Sequence, residues 1–458
     1  MKAKKLIACV LTSSLLLTMG TGCAKKTKTK SNIATIDKNS SETAIFELAS
    51  GKSAKGKTTD EDLKRAYSEF ALGMVGRCAE NAGKDNFMVS TDSVLFALEM
   101  TAAGADGDTL DQMLGTLLPG TNKEDAFLFA VERMDQLKSK QLKIANSVWI
   151  NEASKGAVYK NYLNYVEKNF DAQIGAVPFN DSGVKKINSW VNDNTDGMIP
   201  QLVGKLSDDD LMVLVNALSF DAKWKKPFEA KDVKDGTFRS GSGTKENCKY
   251  LNGKNDVVYL HNDTATGFYK VYEGGKYAFM VILPGAPAKD IMDFDILLDD
   301  SSDEPESNPA ASEPEIDYRT VDINEYVANM TAQDYWDFWN SRNHDEVKYM
   351  FPEFTSEYDT SLAGILKDMG MEDAFDPSKA NFENMSDLKP LNISDVIQKT
   401  KIEVNAEGTK AAASTAVIME HNAVIGQREV ICDRPFAYAI VDGETGLPIF
   451  FGTVEHVK

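Results

Sequence analysis

Few of the side chains able to serve as nucleophile, base or metal ligand stand at spacings that chemistry could use. The chain has four histidines, His261, His344, His421 and His456, and none has a metal-binding partner at i+4. No Gly-x-Ser-x-Gly, P-loop or Gly-x-Gly-x-x-Gly pattern occurs, so the sequence offers neither a nucleophile elbow nor a phosphate cradle. With 70 Asp and Glu in the chain, neighbouring carboxylates arise by chance and pairing alone carries no message. Beyond Cys9 and Cys23, only Cys78, Cys248 and Cys432 remain, too few and too far apart for a disulfide framework or a Cys-x-x-Cys site. Cys78 continues the helical repeat Leu63, Ala66, Phe70, Met74 and reads as a small core residue. The inventory points away from an enzyme and names no metal or cofactor.

The most informative stretch is Asn405–Ala416 with the residues that follow it. Thr409, Ala411, Ala413, Thr415, Val417 and Met419 are small or apolar, whereas the alternate positions carry Lys410, Ser414 and Glu420. A period of two belongs to a strand with one buried side. Alanine is nevertheless depleted in strands, and Gly408 with β-branched Thr409, Thr415, Val417 and Ile418 disfavours a helix. The segment fits a strand slot without being bound to occupy it.

At 458 residues, 42% hydrophobic and 26% charged, the composition is that of a soluble globular protein, and length alone suggests two or three domains. A formal charge of −20 argues against nucleic acid and against polyanion binding. Residues 1–23 read as an address: Lys2, Lys4 and Lys5, an apolar run from Leu6 to Met19, then Gly20-Thr-Gly-Cys23. The run is shorter than the ~20 residues that span a bilayer comfortably. It resembles a bacterial lipoprotein signal with Cys23 as the lipidated residue, Gly20 departing from the usual leucine; a plain secretory signal is the alternative. Residues 24–58 read as a flexible tether whose lysines could rest on anionic lipid. A second boundary lies between the apolar strand Ala278–Pro284 and a helix beginning at Thr331. There, residues 298–318 are rich in acid, Ser and Pro, and too poor in apolar surface to order on their own.

Glu407-Gly-Thr-Lys-Ala-Ala-Ala-Ser-Thr415 resembles the proximal hinge of the reactive loop of serpins, inhibitors consumed by the proteases they trap. Lys399–Asn405 is similar to the strand leading into that hinge, and Arg434–Ile440 and Gly446–Gly452 to the family's two closing strands. Ile187–Val191 with Thr195–Ile199 resembles a family helix end, and Leu214–Ala217 with Phe220, Trp224 and Phe228 the central strand of the main sheet. Ser90, Ser93, Gly104, Ala105 and Thr109 resemble the helix beneath it.

The resemblance implies one α+β domain over residues 59–458, with three β-sheets, eight or nine helices and an exposed reactive-centre loop, and 298–318 as an insertion. It implies a monomer whose partner is a target protease held as a covalent acyl complex. The cut hinge then enters the main sheet as a new strand, and the residues from Gly408 to Asn422 would extend about 46 Å at ~3.3 Å each. The hinge residues Glu407, Gly408, Thr409, Ala411, Ala412, Ala413 and Thr415 match an inhibitory pattern, while Ala406 and Lys410 replace customary acids. Ser90, Ser93, Asn216, Trp224 and Gln398 fall in the region where the sheet opens. Gln398 stands where a histidine commonly bonds the central asparagine, here Asn216. Thr91-Asp92 replaces a Pro-containing pair, implying a slightly looser gate.

Counting forward from Gly408 puts the attacked bond at Asn422–Ala423, and counting back from Phe436 puts it at Val424–Ile425. Ala423 and Val424 suit elastase-like or subtilisin-like serine proteases, Asn422 an asparagine-preferring cysteine protease. The expectation is an inhibitor anchored by lipid at the outer face of the cell. The alternative is a non-inhibitory surface lipoprotein that binds or protects.

Overall fold

The structure, a computed structural model, describes residues 5–14, 58–197, 199–285, 321–409 and 428–457. Three sheets and nine α-helices organise them, as the resemblance implied.

The main sheet runs β4 (Gln173–Val177), β3 (Leu142–Asn151), β5 (Asp210–Phe220), β1 (Lys5–Ser14), β14 (Leu391–Val404), then β15 (Gly408–Thr409) and β6 (Ala222–Lys223), with β13 (Phe354–Ser361) also pairing with β14. Every residue of β5 is buried, which is why its sequence reads as a nearly unbroken apolar run. Along β14, from Val396 to Val404, buried residues alternate with partly buried ones, the period-two pattern of a strand with one face on the core. That parity sends Gln398 and Thr400 inward.

β1 lies parallel to β5 on one side and to β14 on the other. Ten residues of the segment expected as a leader are thus paired as a strand between the sheet's two central neighbours.

The second sheet is antiparallel throughout, in the order β2 (Phe87–Ser90), β18 (Pro448–Val454), β17 (Phe436–Asp442), β11 (Tyr277–Pro284), β10 (Ala265–Val271), β9 (Val258–His261). β11, β17 and β18 are buried along their full lengths. The third sheet runs β16 (Arg428–Ile431), β12 (Val347–Pro352), β8 (Lys245–Lys254), β7 (Val233–Arg239).

The helices are α1 (Asp60–Ala82), α2 (Thr91–Ala102), α3 (Gly107–Leu117), α4 (Lys123–Leu137), α5 (Lys160–Phe170), α6 (Asp181–Asn194), α7 (Ile323–Ala328), α8 (Ala332–Asn340) and α9 (Ala363–Asp368). Thr59 caps α1 by accepting from Asp62 N, and the acids Asp60, Glu61 and Asp62 suit its first turn. Cys78 is fully buried on α1, and burial pushes its thiol up to about 12, as befits an inert core residue. Thr331 caps α8.

α2 is buried on all sides because it lies between layers, touching β1 and β5 of the main sheet and β18 of the second. Thr109, grouped by resemblance with this helix, instead sits in α3.

Candidate functional site

The hinge is anchored at the top of the main sheet, largely through backbone. After β14, Asn405 Oδ1 accepts from the amides of Glu407 (3.0 Å) and Gly408 (3.3 Å), a local turn that reverses the chain. Trp224 N donates to Glu407 O at 2.9 Å, Trp224 Nε1 to Asn405 O at 2.9 Å, and Phe228 N to Ala406 O at 2.9 Å. The Trp224 ring stacks on Tyr272 with centroids 4.6 Å apart. Lys270 lies beneath, nearly fully buried, donating to Asp256 at 2.5 Å and standing 4.6 Å over the Phe228 ring. Burial works to lower the Lys270 pKa, and the Asp256 charge opposes it.

The returning residues form β15, in which Thr409 pairs with both Val404 and Ala222 and Gly408 pairs with Lys223. A Cβ on Gly408 would fall 2.2 Å from Ala222 O, so only glycine permits this approach. Thr409 is already fully buried, its hydroxyl bonded to that of Tyr272. The hinge therefore begins inside the sheet.

The gate residues meet lower down, at the first turn of α2. Ser90 N donates to Gln398 Oε1 (3.2 Å), and Gln398 Nε2 donates back to Ser90 O (3.0 Å). Ser93 Oγ donates to Asn216 Oδ1 (2.5 Å), and Asn216 Nδ2 donates to Asn146 Oδ1 (2.6 Å). Ser90 Oγ accepts from Ser93 N and donates to Ile449 O at 3.0 Å. One helical turn thus ties β14, β5 and β18 together. Leu11 is in register with both Gln398 and Asn216, so the two sit two strand spacings apart, about 9.6 Å. Gln398 therefore serves through the α2 turn, a different arrangement from the direct bond to Asn216 suggested by its position.

Asp92, expected to loosen this turn, is held in a buried ion pair. Its carboxylate is fully buried and accepts from Arg133 Nε (2.5 Å) and Nη2 (2.8 Å) on α4. Tyr67 on α1 donates to it at 2.9 Å.

The structure brings together Ser90, Ser93, Asn216 and Gln398, and separately bonds Trp224 to Glu407 and pairs Gly408 and Thr409 with Lys223 and Ala222 just before it. Ala411, Ala412, Ala413 and Thr415, the bond candidates Asn422, Ala423, Val424 and Ile425, the lipidation candidate Cys23, and residues 298–318 lie outside the described residues. Sequence reasoning missed Tyr272, Tyr67 and Arg133. For Arg133 a signal existed: it interrupts the apolar stripe Phe127, Ala130, Met134, Leu137 of α4, and a charge there needs a buried partner.

A family model described as serpin (serine protease inhibitor) matches residues 65–305 and 314–457. The chain is a serpin. The residues between the two matched blocks fall inside the acidic stretch expected as an insertion. This serpin is 29% identical over 438 residues to human plasminogen activator inhibitor 2, spanning 86% of this chain and 99% of the relative. It is 26% identical over 404 residues to human leukocyte elastase inhibitor, spanning 86% and 98%. Among solved structures, the thermophilic serpin tengpin in its native state matches with a TM-score of 0.72 at 30% identity, over 88% of this chain and 96% of that one. Serpins are in general protease inhibitors and not enzymes.

Proposed function

We propose that this serpin is a suicide inhibitor of extracellular serine proteases with small or apolar specificity pockets, elastase-like or subtilisin-like. The observation that carries this reading is the placement of Gly408–Thr409 as the first step of a strand, in line with a slot between β5 and β14 that accepts a further strand. Continuing the antiparallel pairing of Thr409 with Val404 down β14, without a bulge, sets Ala412 opposite Lys401 and Asn422 opposite Leu391. That is the stretch of β14 now paired with Lys5–Ser14. Loss of a leader at Cys23 would clear the slot for the hinge.

A protease that attacks beyond the hinge forms an acyl-enzyme on its own serine. The freed hinge then enters the sheet, satisfying strand edges on both sides, and carries the bound protease away from its starting position. Trapping succeeds when insertion outruns deacylation. Small residues at Ala411, Ala412 and Ala413 favour that race, since nothing bulky must pass between strands. The lipoprotein-type start places the inhibitor at the outer face of the cell, monomeric and anchored through Cys23. The likeness to leukocyte elastase inhibitor supports the choice of target class.

The test is to mix the protein lacking residues 1–23 with elastase-, subtilisin-, trypsin- and papain-type enzymes. The expected result is an SDS-stable complex with the first two at a stoichiometry near one, with cleavage at Asn422–Ala423 or Val424–Ile425 by mass. Cleavage without a stable complex in every case would overturn inhibition. A complex with the papain-type enzyme alone would move the target to cysteine proteases.

A further inference from the structure

β1 is an addition to the serpin fold. The residues that match the family begin at 65, and Lys5–Ser14 lies outside them, yet it fills the centre of the main sheet. Its ten residues pair with β14 from Leu391 to Lys401 and, from Leu6 onward, with β5 from Asp210 to Ser219. The backbone N–H and C=O groups of two strands that face each other one strand apart are thereby satisfied by a single segment.

The start of the hinge lies in the same column. β13 takes one edge of β14 along Ile397–Val404, so β1 and β15 share the other. Ser14, the last residue of β1, stands opposite Lys401, and Thr409 of the hinge stands opposite Val404. Only Ile402 and Glu403 separate them. Carried on down β14 without a bulge, the hinge sets Lys410 opposite Glu403 and Ala411 opposite Ile402. Ala412 then meets Lys401, whose partner is already Ser14. With β1 in place the hinge halts at Ala411, three residues past Gly408, or about 10 Å at ~3.3 Å each. That is a fraction of the travel to Asn422. The hinge runs antiparallel to β14 and β1 runs parallel to it, but a strand edge accepts either direction, so the two compete for one set of backbone groups.

We propose that Lys5–Ser14 is an autoinhibitory strand: while joined to the chain it holds the slot that the cut hinge needs, so the folded precursor is cleaved by a protease as a mere substrate and traps none, and processing at Cys23 makes the inhibitor competent. This rests on the inhibitory reading above. Covalent attachment keeps β1 at an effective concentration on the order of millimolar. Hydrolysis of the Gly22–Cys23 bond, which consumes one water, removes that advantage and lets the strand leave. The filled sheet also makes the precursor the more stable form and the processed chain the strained one.

The experiment compares the full chain, the chain lacking residues 1–23, and the full chain carrying Val10→Pro, each titrated with an elastase-type protease. Val10 is in register with Val215 and with Ile397, and a proline there removes the N–H and cannot sit in a central strand. The full chain should be cut at the loop yet need at least about tenfold more molecules per protease trapped than the shortened chain does. Val10→Pro should restore trapping with the segment still attached. Uncut, the full chain should melt tens of degrees above the shortened one, and cutting its loop should add little because the slot is already filled. Amides along Leu391–Lys401 should exchange faster in the shortened chain than in the full chain. A synthetic peptide of residues 5–14, added to the shortened chain at about millimolar concentration, should suppress trapping and raise the melting temperature.

The proposal is overturned if the full chain traps as well as the shortened one, or if Val10→Pro traps no better than the full chain does. Should the shortened chain trap no protease, the inhibitory reading fails, while the melting and exchange comparisons still show whether β1 holds the slot.

Discussion

The top of the main sheet and its centre hold the same strands by different physics. At the top, the hinge is tied by backbone bonds to Trp224 and Phe228 and covered by stacked aromatic rings. These contacts ask only for a main chain and a small side chain, so they tolerate a strand sliding in. At the centre, named side chains, Ser93 with Asn216 and Gln398 with Ser90, make specific bonds, and they form with β1 lying between β5 and β14. Permissive contacts mark where the hinge strand begins, and specific bonds join β5 and β14 to the helix turn at a spacing that leaves room for a strand between them.

That contrast can be tested at several scales. In the chain lacking residues 1–23, a cut between Thr415 and Arg428 should bring the largest change, raising the melting temperature by tens of degrees, as large as the best combined stabilisations. A gain of that size means that both regions accept the strand; calorimetry showing no gain would mean that one of them does not.

Thr409→Arg should come next. It forces an unpaired charge into a site with no exposed surface, at a cost of several kcal/mol. The variant should be cut at the same bond yet release active protease, its stoichiometry rising by at least about tenfold on titration. A variant that still traps at a ratio near one would show that the top is more permissive than argued here.

Trp224→Ala removes the ring that covers the hinge turn and should destabilise by about 3–5 kcal/mol in denaturant unfolding. Ser93→Ala removes one donor from Asn216 and should cost only about 1 kcal/mol in the same measurement. Equal losses from the two would erase the distinction between an aromatic cover and a single side-chain bond.

The smallest effect belongs to a control outside both regions. Burial raises the Glu455 carboxyl from its ordinary 4.5 to about 7, against the pull of Lys84 and with Asp322 adding to it. Burial opposes His456, but its contact with Glu246 at 3.0 Å and its bond to Lys84 O leave it raised as well. For both groups the folded state holds the proton more tightly than the unfolded one. Their contribution is fully present below the unfolded value and lost as pH rises through the folded one, about 7 for Glu455. The melting temperature should therefore fall by a few degrees between about pH 5 and about pH 7, and Glu455→Gln should flatten that fall without changing trapping.

How far the site was legible follows from how local each signal is. The strand leading into the hinge, the central strand at Leu214–Ala217 and the helix beginning at Thr331 rest on runs of neighbouring residues, and each lies where the sequence placed it. Gly408 and Thr409 were read as hinge residues from the resemblance of the motif that contains them. Their burial beneath Tyr272 was not, because Tyr272 is 137 residues away in sequence and nothing in its surroundings marks it. The ion pair of Asp92 was hidden for the same reason: beside Ser90 and Ser93 it shows only as a departure from a Pro-containing pair, and its partner Arg133 lies 41 residues on.

Short motifs that resemble those of a known family determined the α+β class, the family and the hinge, while residue types and their periods showed a strand-like segment and no catalytic or metal-binding pattern. These depend on short-range order, which a linear chain displays directly. Only the tertiary structure decided that the hinge begins inside the sheet, that Gln398 and Asn216 are linked through the turn of α2, and that Asp92 is bolted to Arg133. Each of those is a contact between distant segments, set by the geometry of packed layers. The energy of a buried bond depends on which partner that packing delivers, and no spacing along the chain records it.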